Sequence, residues 1–565
     1  MTPAESADVI PFRLTCLGPP ELAGPDGDQI QLRTRKHLAL LIFLAIEPFG
    51  RQRRDWLASL LWPATNINEA RHSLATALSV LRQTLGVESV TTSQDTLQLT
   101  PGYVVTDVAA LLARDEFELE SIAAAVFLDG FEIPDAPDFS HWIDTQRTRL
   151  QPHLHVHFDW RIEQCRRTGN MRAMSACAEE LLRIDPLSEV AMRAAIEVRA
   201  MVNDRTGALR MYEDWKERFR QELGGVPSRE IEQLADRLRR RASAGGSSIR
   251  LAPVPTEQWQ ERCFVGRGAE FQTCYDRWIE ARNGAPGHVL LIGESGIGKS
   301  TIAGRVATAA ALEGASVARV QCHELERELP FGVACHLITR LVDLPGAGAT
   351  PPMQLAELAR LVAVVRQRWP GLPEPPEYRG EEARLQFTEA LLGLVGAVAD
   401  EHPLVIVLDD VHLSDITSLA VLHLMLRRLE AVPVVAMLTM PGSGEGIPDQ
   451  AWRFARPDSM LPMSMLPVSP LPEAHQLELL DELLRGRDDP GPTVRRALMA
   501  GSRGNPMVLE LLVGDWLRHG HQSMALSGGS MSDRLGGVTG PDLRGLIAQA
   551  LGSLDPEARA VADLG

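Results

Sequence analysis

The stretch that most constrains the fold of this chain is a glycine-rich segment, Gly293-Glu-Ser-Gly-Ile-Gly-Lys-Ser-Thr301. It fits the pattern Gly-x4-Gly-Lys-Ser of a phosphate-binding loop. An apolar run at 288–292 precedes it and an Ala-rich run at 300–313 follows it, which predicts the strand–loop–helix unit that the motif requires. Glycines let backbone N–H groups turn inward, and the N-terminus of the following helix adds positive potential. The segment therefore predicts a triphosphate site in an α/β domain.

The use of lysine strengthens this prediction. The chain has 57 Lys and Arg residues in total, but lysine occurs only at Lys36, Lys216 and Lys299. A compact ammonium between phosphates is not equivalent to a planar guanidinium, so the rare lysine stands where the motif requires it. The alternative, a glycine-rich turn with a solvated lysine, is disfavoured by this usage. The residues predicted to bind nucleotide here are Gly293, Glu294, Ser295, Gly296, Ile297, Gly298, Lys299, Ser300 and Thr301.

Length and composition limit the remaining possibilities. A chain of 565 residues predicts several domains, and a net charge of −17 means that any contact with nucleic acid must be local. The seven cysteines form no Cys-x-x-Cys pair, which is typical of reduced thiols in a cytosol. The N-terminal segment has no signal-peptide pattern, and the longest glycine-free apolar run, 38–46, is too short to cross a bilayer. We expect a cytoplasmic protein with no membrane partner.

The first hundred residues have the pattern of a winged helix. A Leu-rich helix is followed by a short helix that stops at Pro63, and Asn68 is predicted to cap the third helix. The predicted elements are strands at 12–17 and 29–33, helices at 35–47, 54–62 and 69–85, and a hairpin over 89–106.

The third helix carries the candidate DNA-reading face. Its leucines recur at helical spacing and predict a core-facing side, while polar groups occupy the opposite side. Residues 33–82 hold eight basic and three acidic residues, so this part is basic in an acidic chain. An ordinary amphipathic helix with a solvated polar face is the alternative. The residues predicted to contact DNA are Lys36, Arg53, Arg54, Arg71, His72, Ser73, Thr76, Ser79 and Arg82.

This stretch resembles the DNA-binding domain of SARP-type (antibiotic-regulatory-protein type) activators, an OmpR-like winged helix. The resemblance is carried by Arg35-Lys36, Arg54-Asp-Trp-Leu, Leu61-Trp62-Pro63, Asn68-Glu-Ala-Arg-His-Ser-Leu74 and Leu81-Arg-Gln-Thr-Leu-Gly86. It implies that the third helix enters the major groove of double-stranded promoter DNA, with repeated sites, and that the hairpin tip touches the flanking backbone.

Residues 108–241 read as almost wholly helical. A weak repeat of 34 residues, which places Met174 on Ala208, is the tetratricopeptide (TPR) period. This repeat is compatible with a protein-docking surface and equally with helices that have only a structural role. The segment resembles the bacterial transcriptional activator domain (BTAD) of SARP-type regulators, on the text Phe127-Leu-Asp-Gly-Phe131, Phe139-Ser-His-Trp142 and Leu182-Arg-Ile-Asp-Pro186. That resemblance implies dimerisation or buttressing of the DNA-binding domain, and contacts to RNA polymerase; a homo-oligomer is expected. Ala242–Ser248 reads as a flexible linker.

The nucleotide half resembles STAND and AAA+ ATPases. Phe264-Val-Gly-Arg-Gly-Ala-Glu270 resembles their GRxxE-type motif, which implies that Val265, Gly266 and Arg267 lie beside adenine; a simple glycine turn is the alternative. The apolar run 403–408 ends in two acids. We predict that Asp409 holds Mg²⁺ through water together with Ser300, and that Asp410 polarises the attacking water or is an acid with no catalytic duty.

Two further features bear on hydrolysis. Relatives end the strand predicted at 432–439 with Thr-x-Arg, whereas this chain has Thr439-Met440-Pro441, so hydrolysis or its sensing is in doubt. Gly504-Asn-Pro506 resembles the Gly-x-Pro element of the STAND lid, which places Pro506 near the nucleotide; a helix N-cap is the alternative.

Residues 543–564 resemble the start of another winged-helix domain that is incomplete at Gly565.

The sequence thus predicts a multidomain chain: an α+β winged helix, an all-α TPR-like domain and an α/β P-loop NTPase with a helical lid. The function expected is an ATP-dependent, DNA-binding transcriptional activator that uses ATP/ADP and Mg²⁺ in a slow hydrolytic switch. A remodelling ATPase with an N-terminal adaptor and a TPR-type scaffold without DNA binding remain alternatives. The domains are predicted at 1–106, 107–241, 261–441 and 442–565, with a linker at 242–260.

Overall fold

The structure is a computed structural model. It describes residues 11–47, 52–93, 95–113, 122–202, 204–243, 264–285, 287–429, 432–442, 447, 449–456, 461–487 and 489–525. Most of the predicted linker at 242–260 and all of the predicted further domain at 543–564 lie outside these ranges. The chain divides into two compact units: the first comprises 1–166, 171–198 and 207–231, and the second comprises 167–170, 199–206 and 232–565.

The N-terminal part of the first unit contains the strands, the three helices and the hairpin that the sequence predicts. Its elements are β1 (Phe12–Thr15), β2 (Glu21–Ala23), β3 (Gln29–Ile30), α1 (Arg35–Ile46), β4 (Gln52–Arg53), α2 (Arg54–Leu61), α3 (Ile67–Leu85), β5 (Val90–Ser93), β6 (Thr96–Leu99), β7 (Val104–Thr106) and α4 (Asp107–Ala113).

Two details of this part differ from the sequence prediction. Helix α3 is capped by Asn66, not by Asn68: the Asn66 side chain accepts a hydrogen bond from the N–H of Glu69 at 3.0 Å. Asn66 and Glu69 have the N-cap and N3 spacing of a capping box. The predicted hairpin over 89–106 is also shorter. Strands β5 and β6 form it, and β6 also pairs with β4. Strand β7 instead pairs in parallel with β1 in a second sheet, of order β3-β2-β1-β7 among the described strands.

The rest of the first unit is helical, as predicted. Its core is continuous with that of the N-terminal part, because one hydrophobic cluster extends from Leu14 to Ala194. Within the N-terminal part, the carboxylate of Asp107 accepts hydrogen bonds from the N–H groups of Cys16 and Leu17 at 2.8–2.9 Å and fixes the start of α4 beside the end of β1. The helices between residues 137 and 243 are α5 (Pro137–Thr168), α6 (Met171–Ile184), α7 (Glu189–Met201), α8 (Arg205–Leu223) and α9 (Arg229–Ser243), of which residues 232–243 of α9 belong to the second unit.

The second unit is an α/β domain. Its described strands form a parallel sheet of order β12-β8-β11-β10-β9, with helices packed on both faces. Strands buried on both faces are continuous apolar runs, which explains why 288–292 and 404–408 lack alternation. The elements are α10 (Gly268–Arg282), β8 (His288–Ile292), α11 (Lys299–Leu312), β9 (Ser316–Gln321), α12 (Gly332–Leu341), α13 (Pro352–Leu358), α14 (Ala363–Arg368), α15 (Gly380–Glu401), β10 (Leu404–Asp409), α16 (Ile416–Arg428), β11 (Val434–Met440), α17 (Asp449–Trp452) and β12 (Met463–Pro467).

A small helical subdomain, here called the lid, follows the sheet. It consists of α18 (Glu473–Leu484), α19 (Pro492–Ser502) and α20 (Pro506–Ala525) around a separate apolar cluster that includes Leu480 and Leu509. Val265, from the segment before α10, packs against this cluster. Across the described residues, no helix is both long and apolar enough to cross a bilayer.

Candidate nucleotide site

The phosphate loop connects β8 to α11 at the carboxyl edge of the sheet. Gly296 and Gly298 have φ values of 77° and 108°, the left-handed region that favours glycine, and Gly298 is the N-cap of α11. A Cβ on Gly293 would lie 2.6 Å from the carbonyl oxygen of Val468. The backbone is therefore shaped as a cradle that side chains at these positions would fill, and its end is a helix N-terminus suited to anions. Residues of this loop fit a triphosphate.

Lys299 lies inside this cradle and is only 6% exposed. Its Nζ donates hydrogen bonds to the carbonyl oxygens of Gly293 at 2.9 Å and Glu294 at 2.8 Å. Burial lowers the pKa of the Lys299 ammonium, while the nearby Asp410 and Asp409 raise it. The ammonium is thus held by the carbonyl oxygens of the loop itself, in a place where phosphate oxygens could replace them.

Three oxygen-bearing side chains meet at the end of β10. Asp409 is 5% exposed, and its Oδ1 accepts hydrogen bonds from Ser300 Oγ at 2.6 Å and from Thr439 Oγ1 at 2.5 Å. Ser300 lies in the first turn of α11 and Thr439 lies in β11, next to β10 in the sheet, so three separate elements place this cluster. Oxygen donors are the ligands that Mg²⁺ prefers, and Ser300 with Asp409 fits a site for it.

Asp410 has an unusual backbone and an unusual acidity. Its φ of 53° lies in the left-handed region, and its N–H donates to Thr439 Oγ1 at 2.8 Å. Burial, and then the charge of Asp409, raise the pKa of the Asp410 carboxyl to about 6, against the opposing effect of Lys299. Burial lowers the pKa of the neighbouring His412 to about 4, so that imidazole is neutral at pH 7. A carboxylate with a pKa close to neutral is suited to accept a proton.

The segment Val265–Arg267 lies between the loop and the lid. A Cβ on Gly266, whose φ is 67°, would lie 2.6 Å from Cβ of His475 in the lid. Arg267 donates to the Ile297 carbonyl oxygen and to Glu270, both at 3.0 Å. Its buried Nε has no hydrogen-bond partner within the described residues. The segment is a glycine turn held beside the phosphate loop, and its contact with adenine stays a prediction.

The lid touches the phosphate loop directly. The Asn505 Nδ2 donates to the Ser295 carbonyl oxygen at 2.9 Å, and the Met507 N–H donates to the Gly296 carbonyl oxygen at 3.3 Å. Asn505 Oδ1 also accepts from the N–H groups of Met507 and Val508, so it caps α20. Both interpretations of this segment, helix cap and nucleotide element, are compatible with the geometry.

The cavity beside the loop gathers most of the predicted residues. Its lining includes the predicted Val265, Arg267, Ser295, Gly296, Ile297, Gly298, Lys299, Ser300, Thr301, Asp410 and Pro506. Gly266, Gly293, Glu294 and Asp409 are not among its lining residues. Sequence reasoning missed Phe264, Leu479, Met507 and Glu510, which also line it. It also missed the hydrogen bond from Thr439 to Asp409. The sequence feature that could have indicated it is the position of Thr439 near the end of a buried strand.

In the first unit, α3 has the two faces that its sequence predicts. Leu74, Leu78 and Leu81 are buried, whereas His72, Thr76 and Ser79 are exposed and Ser73 is half-buried. Arg53, on β4, is exposed too, and Arg54 begins α2 half-buried. A polar face is therefore open to solvent beside arginine side chains.

Three of the predicted DNA contacts are engaged within the protein. Lys36 Nζ lies 2.6 Å from Asp135, on the helical part of the same unit. Arg71 forms a bidentate pair with Asp55, both contacts being 2.6 Å. Arg82 donates to the Val90 carbonyl oxygen and to Thr92 Oγ1, at 2.8 and 2.5 Å, and so holds strand β5 against α3. Arg71 remains on the surface, but Lys36 is largely covered by its fold contacts.

Two protein-family models match the chain. The AAA ATPase domain matches residues 263–438, and the bacterial transcriptional activator domain matches residues 110–239. The chain carries both domains. This combination confirms the resemblance to SARP-type regulators with an ATPase domain, and with it a helical activator region and a P-loop ATPase built on a parallel sheet. A search of curated proteins gives no significant match.

Solved structures are similar only in part. Mycobacterium tuberculosis EmbR in complex with a low-affinity phosphopeptide is 19% identical, with 47% of this chain and 71% of that chain covered at a TM-score of 0.31. A Walker-type ATPase of Pyrococcus abyssi is 14% identical, with 54% and 78% covered at 0.30. The Aeropyrum pernix ORC2 protein, in ADPNP–ADP complexes, is 17% identical, with 55% and 74% covered at 0.29.

Proposed function

We propose that the chain is a DNA-binding transcriptional activator whose activity is switched by ATP and ADP. The observation that carries this proposal is the direct contact between lid and phosphate loop. Asn505 and Met507 bond to carbonyl oxygens of Ser295 and Gly296, the loop that would surround the phosphates. A nucleotide that enters the loop must therefore act on the lid, and a lid movement must act on the nucleotide.

Different residues of the site would bind the phosphates, the Mg²⁺ ion and the base. Lys299 would exchange its two carbonyl partners for phosphate oxygens, and the N-terminus of α11 would face the same anion. Ser300 and Asp409 would hold Mg²⁺, which neutralises phosphate charge when bound. Thr439 keeps the Asp409 carboxylate in place through its short hydrogen bond. Val265, Gly266, Arg267 and Pro506 would lie around the base.

Hydrolysis to ADP and phosphate is proposed to be slow. Asp410 would polarise the attacking water, and its raised pKa suits that role. Strand β11 ends in Met440, which is fully buried, and the position two residues after Thr439 is Pro441 and not an arginine. Among the described residues that line the cavity, the basic ones are Arg267 and Lys299. With few positive charges for the transition state, the site suits a switch that resets slowly more than a fast motor.

The switch itself is a population shift between two lid arrangements. We propose that ADP holds the ATPase and its lid in a resting arrangement with the activator half, and that ATP releases it. The helical repeats would then support a homo-oligomer and contact RNA polymerase. This part of the proposal rests on the domain combination and on the lid contact.

DNA would be bound by the winged helix of the first unit. We propose that α3 enters the major groove with His72, Ser73, Thr76 and Ser79, while arginines 53, 54 and 71 meet phosphates. Arg82 would act by holding the wing. Lys36 is left out, because its ammonium is paired with Asp135.

The test is enrichment of DNA by the full chain. The protein is mixed at low salt with a pool of random-sequence duplexes, and the bound fraction is amplified and sequenced over several rounds. We expect a repeated sequence motif to emerge, and the Thr76→Ala, Ser79→Ala double variant to lose or change it. A matched double variant of exposed residues on the ATPase, Glu381→Ala with Arg340→Ala, should enrich the wild-type motif. No enrichment by the wild type would contradict DNA recognition.

A further inference from the structure

A groove in the first unit lies between helix α3 and the chain segment that precedes α5. Its volume is about 460 Å³. On one side it is lined by His72, Ser73 and Thr76 of α3, and on the other by residues 132–135. This second stretch, Glu132-Ile-Pro-Asp135, is here called the acidic segment. Because three side chains that we propose to read DNA border the groove, the acidic segment would face the same DNA.

Lys36 and Asp135 also line this groove, and they are paired with each other. The Lys36 Nζ lies 2.6 Å from a carboxylate oxygen of Asp135 and 5.6 Å from the centre of the Trp62 ring. The hydrogen bond from Lys36 lowers the pKa of the Asp135 carboxyl, so this group is an anion at neutral pH. The Asp135 side chain is still 56% exposed. A carboxylate thus occupies an ammonium beside the DNA-reading face, where a phosphate oxygen would also be a suitable acceptor.

The acidic segment is fixed in place by apolar side chains on both sides of its charges. Phe131, Ile133 and Ala136 are buried and belong to the core of the first unit. The Ala136 N–H donates to the Ile133 carbonyl oxygen at 3.0 Å and closes a turn. Glu132 and Asp135 lie between these anchors and are exposed. The fold of the activator domain therefore holds two carboxylates at the edge of the groove.

The charges that line the groove cancel. Besides two histidines, the ionisable residues among its described lining are Arg35, Lys36, Glu132 and Asp135. Arg35 Nη1 also donates to the Glu132 carbonyl oxygen at 3.4 Å. Attraction between basic side chains and phosphates supplies essentially all of the non-specific affinity of a DNA-binding protein. Two carboxylates at this edge reduce that attraction, although residues 33–82 are basic as a whole.

We propose that Lys36 is a phosphate-binding position of the DNA surface and that Asp135 blocks it in the resting protein. This inference rests on the proposed DNA-binding function. The Asp135 carboxylate takes the place of a DNA phosphate on the Lys36 ammonium, and the acidic segment repels the phosphates that approach the groove. On DNA of random sequence the pair stays closed. Opening of the pair would add one contact to a phosphate and raise the affinity for DNA of any sequence.

The test is the binding of the full chain to a random-sequence duplex, followed by fluorescence anisotropy across a salt series. Asp135→Asn keeps the shape of the side chain and removes its charge. We expect the affinity at low salt to rise several-fold and the salt slope to steepen by about 1, because the Lys36 ammonium then meets a phosphate. Asp135→Ala should give the same result. Asp138→Asn removes the same charge from an exposed position outside the groove, and as the matched control it should bind as the wild type does.

Lys36→Met shows whether Lys36 is the residue that Asp135 blocks. In the Asp135→Asn background this change should make the salt slope shallower by about 1, whereas in the wild-type background it should leave the slope unchanged. Circular dichroism and urea unfolding establish that each variant is folded. An equal loss of slope in both backgrounds would overturn the proposal, because Lys36 would then already contact DNA in the wild type.

The remaining outcomes separate this inference from the function on which it rests. If the wild type binds the duplex and Asp135→Asn gains nothing, or gains no more than Asp138→Asn, Asp135 does not block Lys36 and the DNA-binding function stands. If neither the wild type nor Asp135→Asn binds duplex DNA at low salt, the proposed function fails, and this inference fails with it.

Discussion

The most informative single residue is Lys299. Replacing it with alanine removes the ammonium that would meet the phosphates, so we expect nucleotide affinity to fall by about 100-fold or more, which corresponds to about 3 kcal/mol. Titration of the full chain with a fluorescent ATP analogue measures this. Arg340→Ala, which removes an exposed basic side chain elsewhere on the ATPase, should bind nucleotide as the wild type does. Unchanged binding by Lys299→Ala would remove the loop from the site.

Arg71 and Asp55 offer a second test at this scale. Their bidentate pair keeps a carboxylate beside the surface that we propose for DNA. Asp55→Asn should raise the affinity for random duplex DNA several-fold, because it frees the guanidinium and removes a negative charge. Arg71→Ala should lower that affinity and make the salt slope shallower by about 1. Fluorescence anisotropy across a salt series gives both values, and equal slopes in all three proteins would exclude Arg71 from the interface.

Residues were predictable where their partners are close in sequence or fixed by a motif. The sequence placed Lys299, Ser300 and Asp409 together, because strand–loop–helix geometry and a buried acidic strand end determine that meeting. It predicted that Lys36 contacts DNA, whereas the Lys36 ammonium is paired with Asp135, 99 residues away in the sequence. No residue close to Lys36 in the sequence indicates this ion pair. The hydrogen bond from Thr439 to Asp409 is also a product of strand order, which one strand does not reveal.

At the scale of elements, Asn505 links the lid to the phosphate loop. Asn505→Asp keeps the oxygen that caps α20 but loses the donor to Ser295, and it sets a carboxylate against a carbonyl oxygen. We expect this variant to retain a stable lid and to release ADP several-fold faster. Asn505→Ala loses the cap as well, and should lower stability by about 1 kcal/mol.

Stopped-flow displacement of a fluorescent ADP analogue and urea unfolding separate the two effects of Asn505. Gln476→Ala, another polar side chain of the lid, serves as the control for release. If Asn505→Asp and the wild type release ADP at the same rate, the lid contact has no bearing on the nucleotide.

Strand β8 carries a pH-sensitive element. His288 is fully buried; its Nδ1 accepts from the Ala436 N–H at 3.1 Å, and burial lowers its pKa to about 4. An unfolded histidine binds a proton near pH 6.5, so the stabilisation is present above that pH and is lost as pH falls towards 4. Between pH 7 and pH 5 we expect His288 to contribute roughly 2 kcal/mol of this loss.

Urea unfolding at the two pH values checks this contribution. His288→Gln keeps a donor and an acceptor but does not titrate, so its stability should fall by roughly 2 kcal/mol less than that of the wild type. Parallel pH dependence in the two proteins would contradict the neutral, buried state of His288.

Elements were predictable where their cause is local. The helix after the loop begins within one residue of its prediction, because the glycines and the Ala-rich run determine it. The sequence predicts β7 as part of a hairpin, but β7 pairs with β1, where Val104 lies opposite Phe12. Helix α3 begins two residues before its predicted start, because Asn66, and not Asn68, caps it. The pairing of strands that are far apart in sequence leaves no pattern in either strand. Sequence periodicity therefore predicts the strands but not their partners.

At the scale of the whole molecule, one chain carries an activator domain and an ATPase domain. The order of these domains followed from motifs along the sequence. Coupling between the two domains could not be predicted from the sequence. It depends on the relative free energies of two conformations of the protein and not on any residue pattern. The proposed switch is therefore a thermodynamic link between nucleotide binding and DNA binding.

That link is measured most directly as the DNA affinity of the full chain in two nucleotide states. The DNA is the motif enriched from random duplexes, and the chain is saturated with Mg²⁺ and either ADP or a non-hydrolysable ATP analogue. We predict affinities that differ by about tenfold or more, or about 1.4 kcal/mol, with the ATP analogue giving the tighter complex and Lys299→Ala showing no difference. Equal affinities of the wild type in the two states would contradict the switch.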